Sequence, residues 1–312
     1  MLRNTDKNEK IMKKSFWIVP LMALALVACS TVSMTGRKQL NLISESEILT
    51  ASLTEYQSYM KTAKLSTDAQ ATAIVKNVAS RIAGAAEAYL RASGQQADLQ
   101  NYAWEFNLTQ DQELNAFCMP GGKIVVYSGM LKLIGNGADR DDELAAVIGH
   151  EVGHAIAKHG NERASQQMLA NVGSSVLGAV VANKSQATQN AVAVAYGLGA
   201  QYGALLPFSR KQELEADYIG IVLATLAGYD ANAAVTLWQK MAAASSSNTA
   251  EFMSTHPSSS TRIEQLQKDI PKVKQTYGPR PQTTTTTKTT KSKSSTTTKG
   301  KTTTTKNGYK IG

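Results

Sequence analysis

Apolar positions recur at helical spacing over most of this chain and alternate in only one central stretch. A helical pattern runs from Ser44 to about Ala63. Ser66 or Thr67 stands where it would cap a second helix, in which Ile74, Val78, Ile82, Ala85 and Ala86 share a face and which ends near Gly94. Alternation over 104–108, with runs at 115–119 and 123–127 joined by Pro120-Gly121-Gly122, predicts three short strands and a small sheet. Helix resumes at Asp141, where Asp141, Asp142 and Glu143 suit the positive end of a helix dipole, and is expected to reach about Lys158 and stop at Gly160. Residues 160–206 are small and apolar, and Asn183-Lys184-Ser185-Gln186 divides them into two helices too short to span a bilayer. Further helices are expected over 208–227, from Asp230 to Ala244, and over 259–270, the last broken by Pro271. Pro257 pushes His256 into an extended corner. The expected class is α+β, mainly α.

Composition agrees with one large helical domain: 312 residues, 42% hydrophobic but only 6% aromatic. The net charge of +9 is concentrated at the two ends. Residues 1–28 carry +3 and 271–312 carry +10, leaving the body at −4, so a nucleic-acid-binding domain is excluded as the reason for the high pI. Lys13 and Lys14 precede an apolar run from Phe16 to Ala28, the plan of a secretory signal. That run ends Leu26-Val27-Ala28-Cys29, which resembles a bacterial lipobox and makes Cys29 the expected site of lipidation and membrane anchoring. By the same resemblance, the non-acidic Ser30 after the cysteine implies sorting to the outer membrane, facing the periplasm. The expected organisation is a signal segment over 1–28, a tether over 29–43, a catalytic domain over 44–275 and a disordered Thr/Lys-rich tail over 276–312. The tail's lysines could meet anionic envelope polymers. Cys118 is then a lone thiol, read as a small buried hydrophobe.

The chemistry is carried by His150-Glu151-Val152-Gly153-His154, inside the expected 141–158 helix. Residues four apart share a helix face, so both imidazoles can reach one ion. Zinc takes nitrogen ligands in tetrahedral geometry and keeps a position open for water in catalytic sites. Glu151, offset by about 100° from His150, flanks that position and is the expected general base. Two histidines and a glutamate in an otherwise apolar helix need such a reason. A third ligand is required. His159 falls one position short of the metzincin spacing and is read instead as a cation beside Gly160 at a helix C-terminus. Glu213 and Asp217 lie four apart on another helix, so Glu213 is the preferred third ligand. Asp217 would accept the second-nitrogen hydrogen of a ligating histidine. Glu215, on a different face, is read as a surface charge near Arg210 and Lys211. His256 is left open between oxyanion stabiliser, fourth ligand in a resting form, and a cap on its corner.

HEVGH, followed by SRKQELEAD and THPSSSTRI and preceded by NAFCMPGGKIVVYSGML, resembles the HtpX and CAAX prenyl protease family, Peptidase family M48. The likeness covers about residues 35–270, and the lipobox suggests its periplasmic lipoprotein branch. It implies a zincin-like, gluzincin domain and one zinc per chain held by His150, His154 and Glu213. It further implies a base at Glu151, and Asn115 and Ala116 on an edge strand that pairs with extended substrate. The activity so implied is endopeptidase cleavage of damaged or misassembled envelope proteins. Two rivals are a chaperone-like binder of unfolded outer-membrane proteins with little proteolysis, and a zinc hydrolase acting on something other than peptides.

Overall fold

The computed structural model describes residues 29–198, 206–244, 256 and 260–279. The expected signal segment, most of the Thr/Lys tail and all of the Thr255–Pro257 corner except His256 lie outside them. Among the described residues no helix is long and apolar enough to cross a membrane.

Five short strands and nine α-helices make up the described structure. β1 (Cys29–Thr31) and β2 (Lys38–Leu40) form an antiparallel hairpin, so the segment expected to be a tether is ordered. α1 (Glu45–Thr62) opens on a capping box in which Ser44 and Glu47 satisfy each other's backbone amides. α2 (Ala69–Ala92) buries Val75, Val78, Ala79, Ile82 and Ala86 on one face. Its cap is Asp68, not Ser66 or Thr67. Ser66 cannot serve, because Leu65 bridges Thr109 and the Ser66 amide donates to Leu108, which keeps that stretch extended.

β3 (Glu105–Thr109), β4 (Ala116–Met119) and β5 (Lys123–Tyr127) form the expected sheet in the order β3-β5-β4. β5 lies at its centre, parallel to β3 and antiparallel to β4. β4 is therefore an edge, with no strand on its other side among the described residues. A short helix, α3 (Ser128–Ile134), follows β5; seven residues give too little periodicity to announce it.

α4 (Arg140–Ile156) runs through the centre of the molecule, buried from Glu143 to His154. It packs against α2, β4, α7 (Leu206–Leu226) and α8 (Ala233–Ala243). It ends two residues earlier than expected. Lys158 takes a left-handed backbone, φ 56°, with its Nζ near Glu45 and Asp98, and α5 (His159–Val181) starts at once. Gly160 thus lies inside a helix instead of terminating one. α6 (Gln186–Leu198) follows after the expected break. α9 (Ser260–Tyr277) passes through Pro271 without ending. The proline forfeits one helical hydrogen bond, but Ile270 and Val273, buried on either side of it, keep the helix packed.

Candidate metal centre and active site

Two helices build the centre, and small residues set the distance between them. On α4, Gly149 and Gly153 face Ala216 and Gly220 of α7. A Cβ on Gly149 would stand 2.8 Å from the Gly220 carbonyl oxygen, one on Gly153 2.9 Å from that of Ala216, and one on Gly220 2.8 Å from the His150 amide nitrogen. With three glycines in this seam, the backbones approach closely enough for His150 and His154 to meet the Glu213–Asp217 turn.

There, four side chains from three segments offer ligand atoms within 4.8 Å of one another: His150, His154, Glu213 and His256, all buried. His150 Nε2 and His154 Nε2 are 3.1 Å apart. Glu213 places one carboxylate oxygen 3.3 Å from each. His256 Nδ1 lies 3.3 Å from His150 Nε2 and 3.2 Å from Glu213. Ligands at about 2.0–2.1 Å from a tetrahedral zinc stand about 3.3–3.4 Å from one another. The donor types and their spacing fit a zinc ion.

Around this cluster each expected residue has a definite place. Asp217 Oδ1 sits 2.9 Å from His150 Nδ1, which turns Nε2 inward. Glu151 is buried, and its Oε1 has no hydrogen-bond partner among the described residues; His256 Nε2 is 3.6 Å away. Burial raises the Glu151 carboxyl, partly offset by the positive potential of His256 and His150. Burial also opposes charge on His150, but its bonds to Asp217 and Glu213 prevail and push it up to about 9. Glu213 is buried too, yet its three histidine partners hold it well below the usual carboxylate range. Ala116 begins the edge strand, and the Asn115 carbonyl accepts from the Tyr127 amide just before it. A cavity of about 80 Å³ opens between this strand and α4, lined by Cys118, Pro120 and His154 among others. Burial, and then the charge of Glu151, push the Cys118 thiol far up, so it stays protonated at neutral pH.

Two sequence-based expectations fail here. His159 is not at a helix C-terminus: it starts α5, is fully buried, and makes a 2.8 Å contact from Nδ1 to His154 Nδ1. Glu215 is not a surface charge but is buried against His159, Thr35 and Arg37. One functional neighbour was missed altogether. Arg262 forks Asp217 through two 2.7 Å bonds, reaches Glu213 at 3.0 Å, and lies 3.7 Å from the Trp238 ring centre. Its place in the THPSSSTRI run was the only signal available.

The chain matches the model of Peptidase family M48 over residues 76–270. It is 38% identical over 168 residues to Mitochondrial metalloendopeptidase OMA1 of Arabidopsis thaliana, covering 54% of this chain and 32% of that protein. To the protein of the same name from Schizosaccharomyces pombe it is 35% identical over 178 residues, 56% and 49% of the two chains. It is also 30% identical over 178 residues to the Beta-barrel assembly-enhancing protease of Yersinia pestis, 55% and 35%. The chain thus spans 32% to 49% of the length of these relatives. A family match over more than half of the chain, centred on a cluster that fits zinc, shows that this chain belongs to Peptidase family M48, whose members are zinc-dependent metallopeptidases.

Proposed function

We propose that this chain is a zinc endopeptidase of the bacterial cell envelope, anchored through Cys29 in the outer membrane and facing the periplasm. Its substrates are extended or misfolded envelope proteins. One observation carries the catalytic part: donors at tetrahedral spacing stand beside a buried glutamate whose Oε1 has no hydrogen-bond partner among the described residues. His150, His154 and Glu213 hold the ion, as the family membership supports. Zinc held there would polarise the scissile carbonyl and lower the pKa of a bound water to about 7. Glu151 takes the proton of the attacking water and returns it to the leaving amine. Asp217 fixes the His150 tautomer. An extended polypeptide pairs along the open edge of β4, beginning at Asn115 and Ala116, with backbone hydrogen bonds that read little sequence. His256 stands over both the cluster and Glu151, where it serves the oxyanion or closes the centre in a resting form. The envelope setting rests on the lipobox and on the name of the Yersinia relative, a Beta-barrel assembly-enhancing protease.

The test is zinc content and casein cleavage by the full-length chain and by Glu151→Gln. One zinc per chain in both, with cleavage reduced roughly 10²–10⁴-fold in the variant, is the expected result. Zinc in both with no cleavage by either would favour the second reading, a chaperone-like binder for which β4 is simply a docking edge.

A further inference from the structure

Both histidines of the HEVGH helix have a second ring nitrogen that must be satisfied in a buried place. His150 solves this directly, through Asp217 and then Arg262. His154 solves it at one remove. With Nε2 turned to the cluster, a neutral His154 carries its proton on Nδ1, 2.8 Å from Nδ1 of His159. His159 must then accept at Nδ1, which leaves its own proton on Nε2, and that atom lies 2.9 Å from Glu215 Oε2. Glu215 in turn receives the Arg37 Nε–H at 2.6 Å and the Thr35 hydroxyl. The rest of the Arg37 guanidinium forks Glu162 at 2.7 and 2.8 Å, and Gln212 donates to the same carboxylate at 2.7 Å. Donor and acceptor roles are consistent at every link, with one proton per imidazole.

Thr35 and Arg37 belong to the β1–β2 hairpin, far from the metal helix in sequence. The hairpin's exit is pinned to α5 by the Leu42 amide on Ser165, 2.8 Å, and by Asn161 on the Ile43 carbonyl, 2.8 Å.

We propose that the N-terminal hairpin is a working part of the metal centre. Arg37 and Thr35 fix Glu215, Glu215 fixes the tautomer of His159, and His159 holds His154 with Nε2 toward the ion. His159 and Arg37 are positioning residues, acting through His154 and not on substrate. The inference rests on the reading that zinc occupies the His150–His154–Glu213 cluster. It makes the segment after Cys29 an element of metal affinity as well as of anchoring.

The experiment uses the full-length chain, with zinc affinity measured by chelator competition and ligand geometry read from the visible spectrum of the cobalt-substituted protein. His159→Leu removes the link, whereas His159→Gln keeps an acceptor toward His154 and a donor toward Glu215. Arg37→Met removes the far end. Lys38→Met, on the same hairpin, where the side chain donates to Thr31 and takes no part in the Glu215 links, is the control. Expected are a roughly 10–100-fold loss of zinc affinity and an altered cobalt spectrum in His159→Leu. Arg37→Met should lose less, His159→Gln should come back to within a few-fold of wild type, and Lys38→Met should be unchanged. If His159→Leu fails to fold because Glu215 has lost its histidine partner, the double variant His159→Leu/Glu215→Leu removes that carboxylate, and the same loss is expected. Folded variants with wild-type affinity and spectrum would overturn the proposal alone. A wild-type chain that binds neither metal would overturn the site reading, and this inference with it.

Discussion

Arg262 shows how much of this centre depends on residues outside the cluster of candidate ligands. It is buried with two carboxylates, Asp217 and Glu213, and with the face of Trp238. Desolvation opposes its charge, but Asp217 and Glu213 outweigh that and keep it ionised. Replacing it with methionine would strand Asp217 as a buried anion and let it rotate away from His150. We expect Arg262→Met to lose roughly 3–5 kcal/mol of stability in urea unfolding and at least tenfold in zinc affinity by chelator competition. Wild-type affinity in a folded variant would show that Asp217 orients His150 unaided. The facing of His150 with His154, and of Glu213 with Asp217, was legible in the sequence because a spacing of four decides it. His159 and Glu215 were misread for the opposite reason: their partners come from the hairpin and from each other, and no local pattern reports a contact across 178 residues.

At the scale of elements, the decisive feature is the seam between α4 and α7. It is a small-residue contact in which three glycines meet backbone. A methyl group on Gly220 would have to displace the His150 backbone, and no flexible side chain is available to give way. We expect Gly220→Ala to keep its helical circular dichroism but fall below one zinc per chain. Full zinc occupancy would mean that the helices separate without opening the cluster. The helices and the three-strand sheet were readable from periodicity, and their ends were not. Lys158 bends the chain by adopting a backbone conformation that few residues take, and Pro271 does not end its helix because packing on both sides prevails. Gly149 and Gly153 read as ordinary helix glycines until the facing helix is known.

At the scale of the molecule, the segment that follows Cys29 is a structural part, and on the proposed reading it is an address as well. Cys29 opens β1, opposite Leu40, so if it is acylated only a few residues separate the lipid from the clamp on Glu215. We expect Cys29→Ser to move the protein from the detergent phase to the aqueous phase in Triton X-114 partitioning while casein cleavage continues. Partitioning of wild type and variant alike into the aqueous phase would refute the anchor. The hairpin was unreadable as structure because its two strands are three residues each and its stabilising partners lie at Glu162 and Glu215.

The same wiring bears on when the chain acquires its activity. His150 and His154 are brought together by a single helix, but Arg262 joins His150 across 112 residues and Arg37 reaches Glu162 across 125. Contacts of such sequence separation form slowly and late, after the loop entropy of almost the whole domain has been spent. With zinc held as proposed, full metal affinity is expected only once these contacts are made, and a nascent or partly opened chain would hold the HEVGH helix without the means to cut.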